Sequence, residues 1–144
     1  MEKPRTPWHI WVVGVLSLMW HAGGAMDYLM SKTRNENYLA QMTPEQLEFL
    51  ENFPAWLTPF WAIAVWGAVL GSLLILMRRK LAAPIFLIAF LAMIVVTIHN
   101  VFLATPSALD MMNSFQLGFT VVIVIIAALL VVYTRTQSSL GRLT

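Results

Sequence analysis

Asp27 and His21 are the side chains of this sequence best placed to do chemistry. Both fall within residues 10–31, IWVVGVLSLMWHAGGAMDYLMS, a stretch long and apolar enough to cross a bilayer. Ionisable groups are costly in hydrocarbon, so those found there mark ligand sites, relays or pathways. The spacing around them adds to this. Gly14, Ser17, His21, Gly24, Tyr28 and Ser31 recur at steps of three and four, which places them on one seam of a helix. Every member of the seam is small or polar, whereas Val12, Val13, Leu16, Leu18 and Met19 lie off it. The seam is expected to look into protein.

Further polar side chains occur in two later apolar stretches. His99 and Asn100 lie within residues 82–104, and Gln116 and Thr120, four apart and so on one helical face, lie within residues 114–133. A fourth stretch, residues 56–77, holds Trp56, Trp61 and Ser72.

The composition says what solvent surrounds these stretches. Of 144 residues, 59% are hydrophobic and only 11% charged, with a mean hydropathy of +0.73. A soluble domain carries about 25% charged residues. The surplus of apolar surface is explained by lipid. Each of the four stretches matches a hydrocarbon core of about 30 Å, and in lipid only helices satisfy the backbone of separate segments. The expected fold class is therefore all-α: an integral membrane four-helix bundle, one domain over 1–144. The apolar run continues to Met30, which argues against a signal peptide cleaved near Gly23-Gly24-Ala25. There is no cysteine, so disulfides and thiolate chemistry are excluded.

Charge sets direction. Lys3, Arg5, Arg78, Arg79, Lys80, Arg135 and Arg142 fall on one side of the spans, seven of the nine basic residues. Lys32 and Arg34 fall on the other, among Glu36, Glu45, Glu48, Glu51 and Asp110. The positive-inside rule expects both termini and the Arg78-Arg79-Lys80 turn in the cytoplasm. The connection over residues 32–55 then faces outward. Within it, Thr43-Pro44-Glu45-Gln46 reads as a capping box with proline at the first helical position. Leu47, Leu50 and Phe53 oppose Glu45, Glu48 and Glu51, so a short amphipathic helix is expected over 44–52, on the outer membrane surface or across the bundle mouth. The turn near residues 78–81 makes the second and third spans antiparallel neighbours. Gly67 and Gly71 allow a close helix approach.

With direction assigned, nearly all polar side chains within the spans fall in their outer halves. Ser17 and Ser72 are the exceptions, small enough to bond their own backbone. Asp27, Tyr28, His21, His99, Asn100, Gln116 and Thr120 form the candidate ligand-binding set. Two readings stand beside each other. The groups either bond one another and hold the bundle together, with Asp27 paired to Lys32 or Arg34, or they line a polar cavity rimmed by Trp56, Trp61 and Tyr28.

Other chemistries would draw on the same residues. Haem with His21 and His99 as axial ligands requires equal depth, yet His99 is expected roughly 6–9 Å farther out. His21, Asp27 and His99 have donor types suited to zinc, but no spacing sets two ligands on one helix, so no metal is expected. Quinone binding would use the same His, Asp and Tyr donors. No nucleophile has an evident base, and there is neither a phosphate loop nor a basic stripe for nucleic acid. No enzymatic activity and no cofactor are expected.

Several motifs together resemble a known family. They are Trp20 with Gly24-Ala25-Met26-Asp27-Tyr28, Thr33-Arg34-Asn35-Glu36 with Tyr38, Thr43-Pro44-Glu45-Gln46, Phe53-Pro54-Ala55-Trp56, and Trp66-Gly67 with Gly71-Ser72. The chain is similar, over nearly its whole length, to small four-helix bacterial inner-membrane proteins that often carry the label "sugar transporter", loosely DoxX-like. His21 departs from that pattern, which has asparagine there. The resemblance implies a bacterial inner (plasma) membrane location and small-solute binding or transport. A four-helix carrier would work as a homo-oligomer, because alternating access uses paired repeats. The alternatives are a non-catalytic accessory subunit of a larger membrane complex, and a haem- or quinone-binding redox protein.

Overall fold

The computed structural model describes residues 5–144, so Lys3 lies outside the described residues. Seven α-helices follow in order: α1 (Trp8–Lys32), α2 (Glu36–Leu39), α3 (Pro44–Glu51), α4 (Thr58–Leu76), α5 (Ala82–Ile98), α6 (Ala108–Met111) and α7 (Ser114–Ser139). A 3₁₀ turn, Ala55–Leu57, leads into α4, and a π-helical turn, His99–Leu103, extends α5. Among the described residues there is no strand. Four segments are long and apolar enough to span a membrane: Trp8–Lys32, Ala55–Leu76, Ala82–Leu103 and Ser114–Ser139. The chain is a multi-span helical membrane protein, and α1 is continuous through Gly23-Gly24-Ala25.

The local reasons for these boundaries are visible. Pro59 falls in the first turn of α4, where the missing N–H costs nothing. α1 and α4 both end on an arginine in the left-handed region, Arg34 at φ 53° and Arg78 at φ 57°. In each case the following N–H reaches back to close the helix, Asn35 to the Met30 carbonyl at 3.0 Å and Arg79 to the Leu74 carbonyl at 2.8 Å. The capping box of α3 forms as its sequence expects: Gln46 N donates to Thr43 Oγ1 at 3.2 Å, and Thr43 N to Gln46 Oε1 at 3.1 Å. The last span runs six residues past Tyr133, to Ser139. Hydropathy falls at Thr134, but this residue donates its hydroxyl to the Leu130 carbonyl at 2.7 Å and stays buried, so the helix continues.

Packing proceeds in sequence, α1 on α4, α4 on α5 and α5 on α7. Small residues set the spacing. A Cβ on Gly14 would stand 2.6 Å from Leu76 Cδ2, and one on Gly71 would stand 2.8 Å from the Phe86 ring. Such approach without side chains is how membrane helices gain contact in the absence of a hydrophobic drive. Gly14 and Ser17 are buried on the face of α1 that meets α4, so the lower seam does look into protein. Val12 and Leu16 are exposed, as lipid-facing residues should be.

The core gathers at the end carrying the Arg78-Arg79-Lys80 turn, hereafter the basic end. Ile10, Ile75, Ala82, Phe86, Leu130, Val131 and Leu143 form one buried cluster there. The residues after α7 fold back to close it: Thr144 N donates to the Arg78 carbonyl at 2.7 Å, and Lys80 N to the Thr144 carbonyl at 3.1 Å. At the opposite, loop end α1 and α7 lack such a cluster. These two helices meet through His9 Nδ1 and the Tyr133 hydroxyl, 2.7 Å apart near the basic end, and through the rings of Trp20 and Phe119 at 5.6 Å. Above that contact the bundle is open.

Candidate functional site

The opening holds two adjoining cavities. The larger, of about 1000 Å³, lies under the loop between α1 and α4, beside the π turn, α6 and the start of α7. The second, of about 750 Å³, reaches deeper between α1, α4, α5 and α7. Asp27, Trp61, Val96, Thr97 and Phe119 border both, so the two form one chamber with Asp27 at the junction. Volumes of this order suit drug-sized ligands.

Asp27 sits one turn and a half before the end of α1 and is exposed on the chamber side. Its carboxylate accepts a hydrogen bond from the Tyr38 hydroxyl. That contact depends on α2, a single turn whose N-terminus is capped by Asn35: the Tyr38 N–H donates to Asn35 Oδ1 at 3.0 Å. The left-handed Arg34 just before it turns the chain back over α1. Burial raises the Tyr38 phenol to about 12, and the bond to Asp27 and its negative charge add to the rise. Tyr38 therefore remains a donor at any ordinary pH. Arg34 does not pair with Asp27; it lies 3.2 Å from Glu51 in an exposed ion pair that ties the turn to the end of α3.

Asn100, Gln116 and Thr120 reach the same cavity from the other wall. Gln116 Oε1 accepts from Asn113 N at 3.1 Å as part of the α7 capping box, so the amide NH₂ is what it offers a ligand. The Thr120 hydroxyl donates to the Gln116 carbonyl at 3.0 Å, leaving its lone pairs as acceptors. Asn100 Oδ1 stands 3.3 Å from His99 Nδ1. Helix α3 covers the cavity with Gln46, Phe49 and Leu50 while Glu45, Glu48 and Glu51 stay exposed. The amphipathic loop helix thus lies across the bundle mouth.

His21 borders the second cavity, but its Nδ1 is held 3.2 Å from Ser72 Oγ and 3.3 Å from Ser17 Oγ. The two serine oxygens are 2.6 Å apart, and Ser72 donates to the Ala68 carbonyl at 2.8 Å. Ser72 bonds its own backbone as expected, whereas Ser17 uses its hydroxyl across the α1–α4 interface. His21 belongs to that interface as much as to the cavity.

Tyr28 and His99 border neither cavity. One residue on from Asp27, the helix turns Tyr28 about 100° away, and its ring packs on Trp61 and Trp66 at centroid distances of 4.8 and 6.1 Å. His99 opens the π turn, and its ring meets Trp56 edge-on at 5.6 Å. Of the expected rim, Trp61 lines the chamber, while Trp56 and Tyr28 stand behind it. His21 and His99 do not share a cavity. Among the described residues, no group of three or more His, Cys, Asp or Glu converges as a metal site. What the site can do is bind: a carboxylate, a phenol, amides and aliphatic hydroxyls are set in largely apolar walls.

Sequence reasoning on the spans did not select Tyr38, because it lies outside them; its one sequence cue was its place beside the Thr33-Arg34-Asn35-Glu36 motif. No protein-family model matches the chain, and neither does any curated protein or solved structure.

Proposed function

We propose that this protein binds a small solute in a chamber open to the outer face of a bacterial inner membrane, as the binding step of transport. The observation that carries this reading is the convergence of Asp27, Tyr38, Asn100, Gln116 and Thr120, from four separate segments, on one cavity of about 1000 Å³. Groups that served only to hold helices together would bond one another, as Ser17, His21 and Ser72 do. Apart from the Asp27–Tyr38 pair, the polar groups of the larger cavity named above bond within their own segments, Gln116 and Thr120 in α7 and Asn100 in the π turn.

The orientation follows from charge. Among the described residues, Arg5, Arg78, Arg79, Lys80, Arg135 and Arg142 lie at the basic end, and only Lys32 and Arg34 at the loop end. The positive-inside rule assigns the basic end to the cytoplasm and the mouth of the chamber to the outside. Four spans supply one such chamber, so a homo-oligomer is the working form for transport.

The absence of native cysteine makes the test clean. In right-side-out vesicles, Gln116→Cys should react with a charged, membrane-impermeant methanethiosulfonate added outside. Reaction only in inverted vesicles would reverse the orientation, and none from either side would remove the water-filled chamber.

A further inference from the structure

The walls of the chamber say more about the ligand than its volume does. Among the described residues, Asp27 is the only acid bordering either cavity, and no lysine or arginine borders them. Among the described residues its one hydrogen-bond donor is a neutral phenol, and the nearby Arg34 is engaged by Glu51. Among the described residues, no lysine or arginine faces the carboxylate across the chamber. Around it stand aromatic faces: Trp61 and Phe119 border both cavities with Asp27, Trp20 and Phe86 line the deeper one, and Phe53 packs on Trp61 at 5.3 Å. Aromatic faces attract cations, and quaternary ammonium groups are recognised by such cages.

The mouth carries the same sign. Glu36, Glu45, Glu48, Glu51 and Asp110 lie at the loop end against Lys32 and Arg34. A negative entrance with low-dielectric walls concentrates cations. The deeper cavity, which shares Asp27 with the larger one, offers an almost wholly apolar space bordered by Gly23 and Gly24, where an added Cβ would meet nothing within 4 Å. A polyhydroxylated solute there would leave most of its hydroxyls unpaired, which is costly. A bulky apolar body with a positive charge fits both parts.

We propose that the chamber takes a lipophilic organic cation, its charge at Asp27 and its apolar body against Trp20, Trp61 and Phe119. This rests on the reading of the chamber as a ligand site. It goes further by fixing the sign and polarity of the ligand.

The probes are tetraphenylphosphonium and tetraphenylborate, nearly the same shape with opposite charge, in equilibrium dialysis against the full chain in zwitterionic nanodiscs, with empty nanodiscs subtracted. Tetraphenylphosphonium should occupy one site per chain and tetraphenylborate none. Asp27→Asn should weaken the cation about tenfold or more, and Asp27→Glu should retain most of the affinity. Equal binding of both ions, or preference for tetraphenylborate, would overturn the cation assignment and leave the chamber standing as a ligand site. Saturable binding of neither would overturn both. The comparison of the two ions uses the unaltered protein, so it decides even if Asp27→Asn does not fold.

Discussion

The hydroxyl of Tyr38, on a single helical turn in the loop, donates to the carboxylate of Asp27 near the end of the first span. Eleven residues separate the two along the chain, and the left-handed Arg34 and the Asn35 cap between them make the meeting geometric rather than sequential. The pair links the roof of the chamber to the acid that borders it. Whatever moves the loop also breaks that bond.

That link is readable by titration. The Tyr38 phenol lies at about 12, above a free phenol near 10. A folded value raised above the unfolded one adds stability that is full below about pH 10 and is lost as pH rises through about 12. With ¹³C-labelled tyrosine, the resonance abolished by Tyr38→Phe should titrate at about 12, above a free phenol. In Asp27→Asn it should move down toward 10 without reaching it, because burial, the largest cause, remains. A resonance unaffected by Asp27→Asn would mean that the pair does not form.

The Ser17–Ser72 contact predicts a coupling. Hydrogen bonds between membrane helices average about 0.6 kcal/mol and reach about 1.7. The double-mutant cycle of Ser17→Ala and Ser72→Ala should give an interaction energy in that range, measured by denaturant unfolding in mixed micelles. Additive effects would show that each serine serves only its own helix.

Glycines on the two sides of the bundle should respond oppositely. Gly71→Ala drives a methyl into the buried Phe86 ring and should destabilise by about 1–3 kcal/mol. Gly23→Ala meets nothing within 4 Å and should be neutral or stabilise by about 0.5–1 kcal/mol through helix propensity. Thermal unfolding compares them directly, and matching losses would contradict the chamber's space beside Gly23.

Near the basic end, Tyr133→Phe removes the hydrogen bond between His9 Nδ1 and the Tyr133 hydroxyl that joins α1 to α7. A loss of about 0.5–1.5 kcal/mol is expected. His9→Ala added to Tyr133→Phe should cost little more, since both act on one contact. Fully additive losses would place the two residues in separate contacts.

Particular residues show how much of this was legible in the sequence. The four spans, the Arg78-Arg79-Lys80 turn and the Thr43–Gln46 capping box could be read because hydropathy and capping act over a few neighbouring residues. Asp27, Asn100, Gln116 and Thr120 could be grouped because helix direction fixes depth. Depth does not fix azimuth, which is why Tyr28 and His99, at suitable heights, turned out to pack on Trp61 and Trp56. Tyr38 depends on a four-residue helix too short to leave a periodic pattern, and on a fold-back set by one left-handed residue. Ser17 was read through its own helix because the α1–α4 register, fixed by Gly14 against Leu76, has no trace in either stretch alone.

Binding from the outer face requires water to enter from the loop end, past Asp27, into the deeper cavity. The most direct measurement is the reaction of Gly24→Cys with an impermeant charged thiol reagent added to right-side-out vesicles, beside Gly14→Cys as the packed control. Gly24→Cys should react and Gly14→Cys should not. A Gly24→Cys that resists the charged reagent yet reacts with a lipid-soluble maleimide would contradict the account, because the deeper space would then open only to lipid.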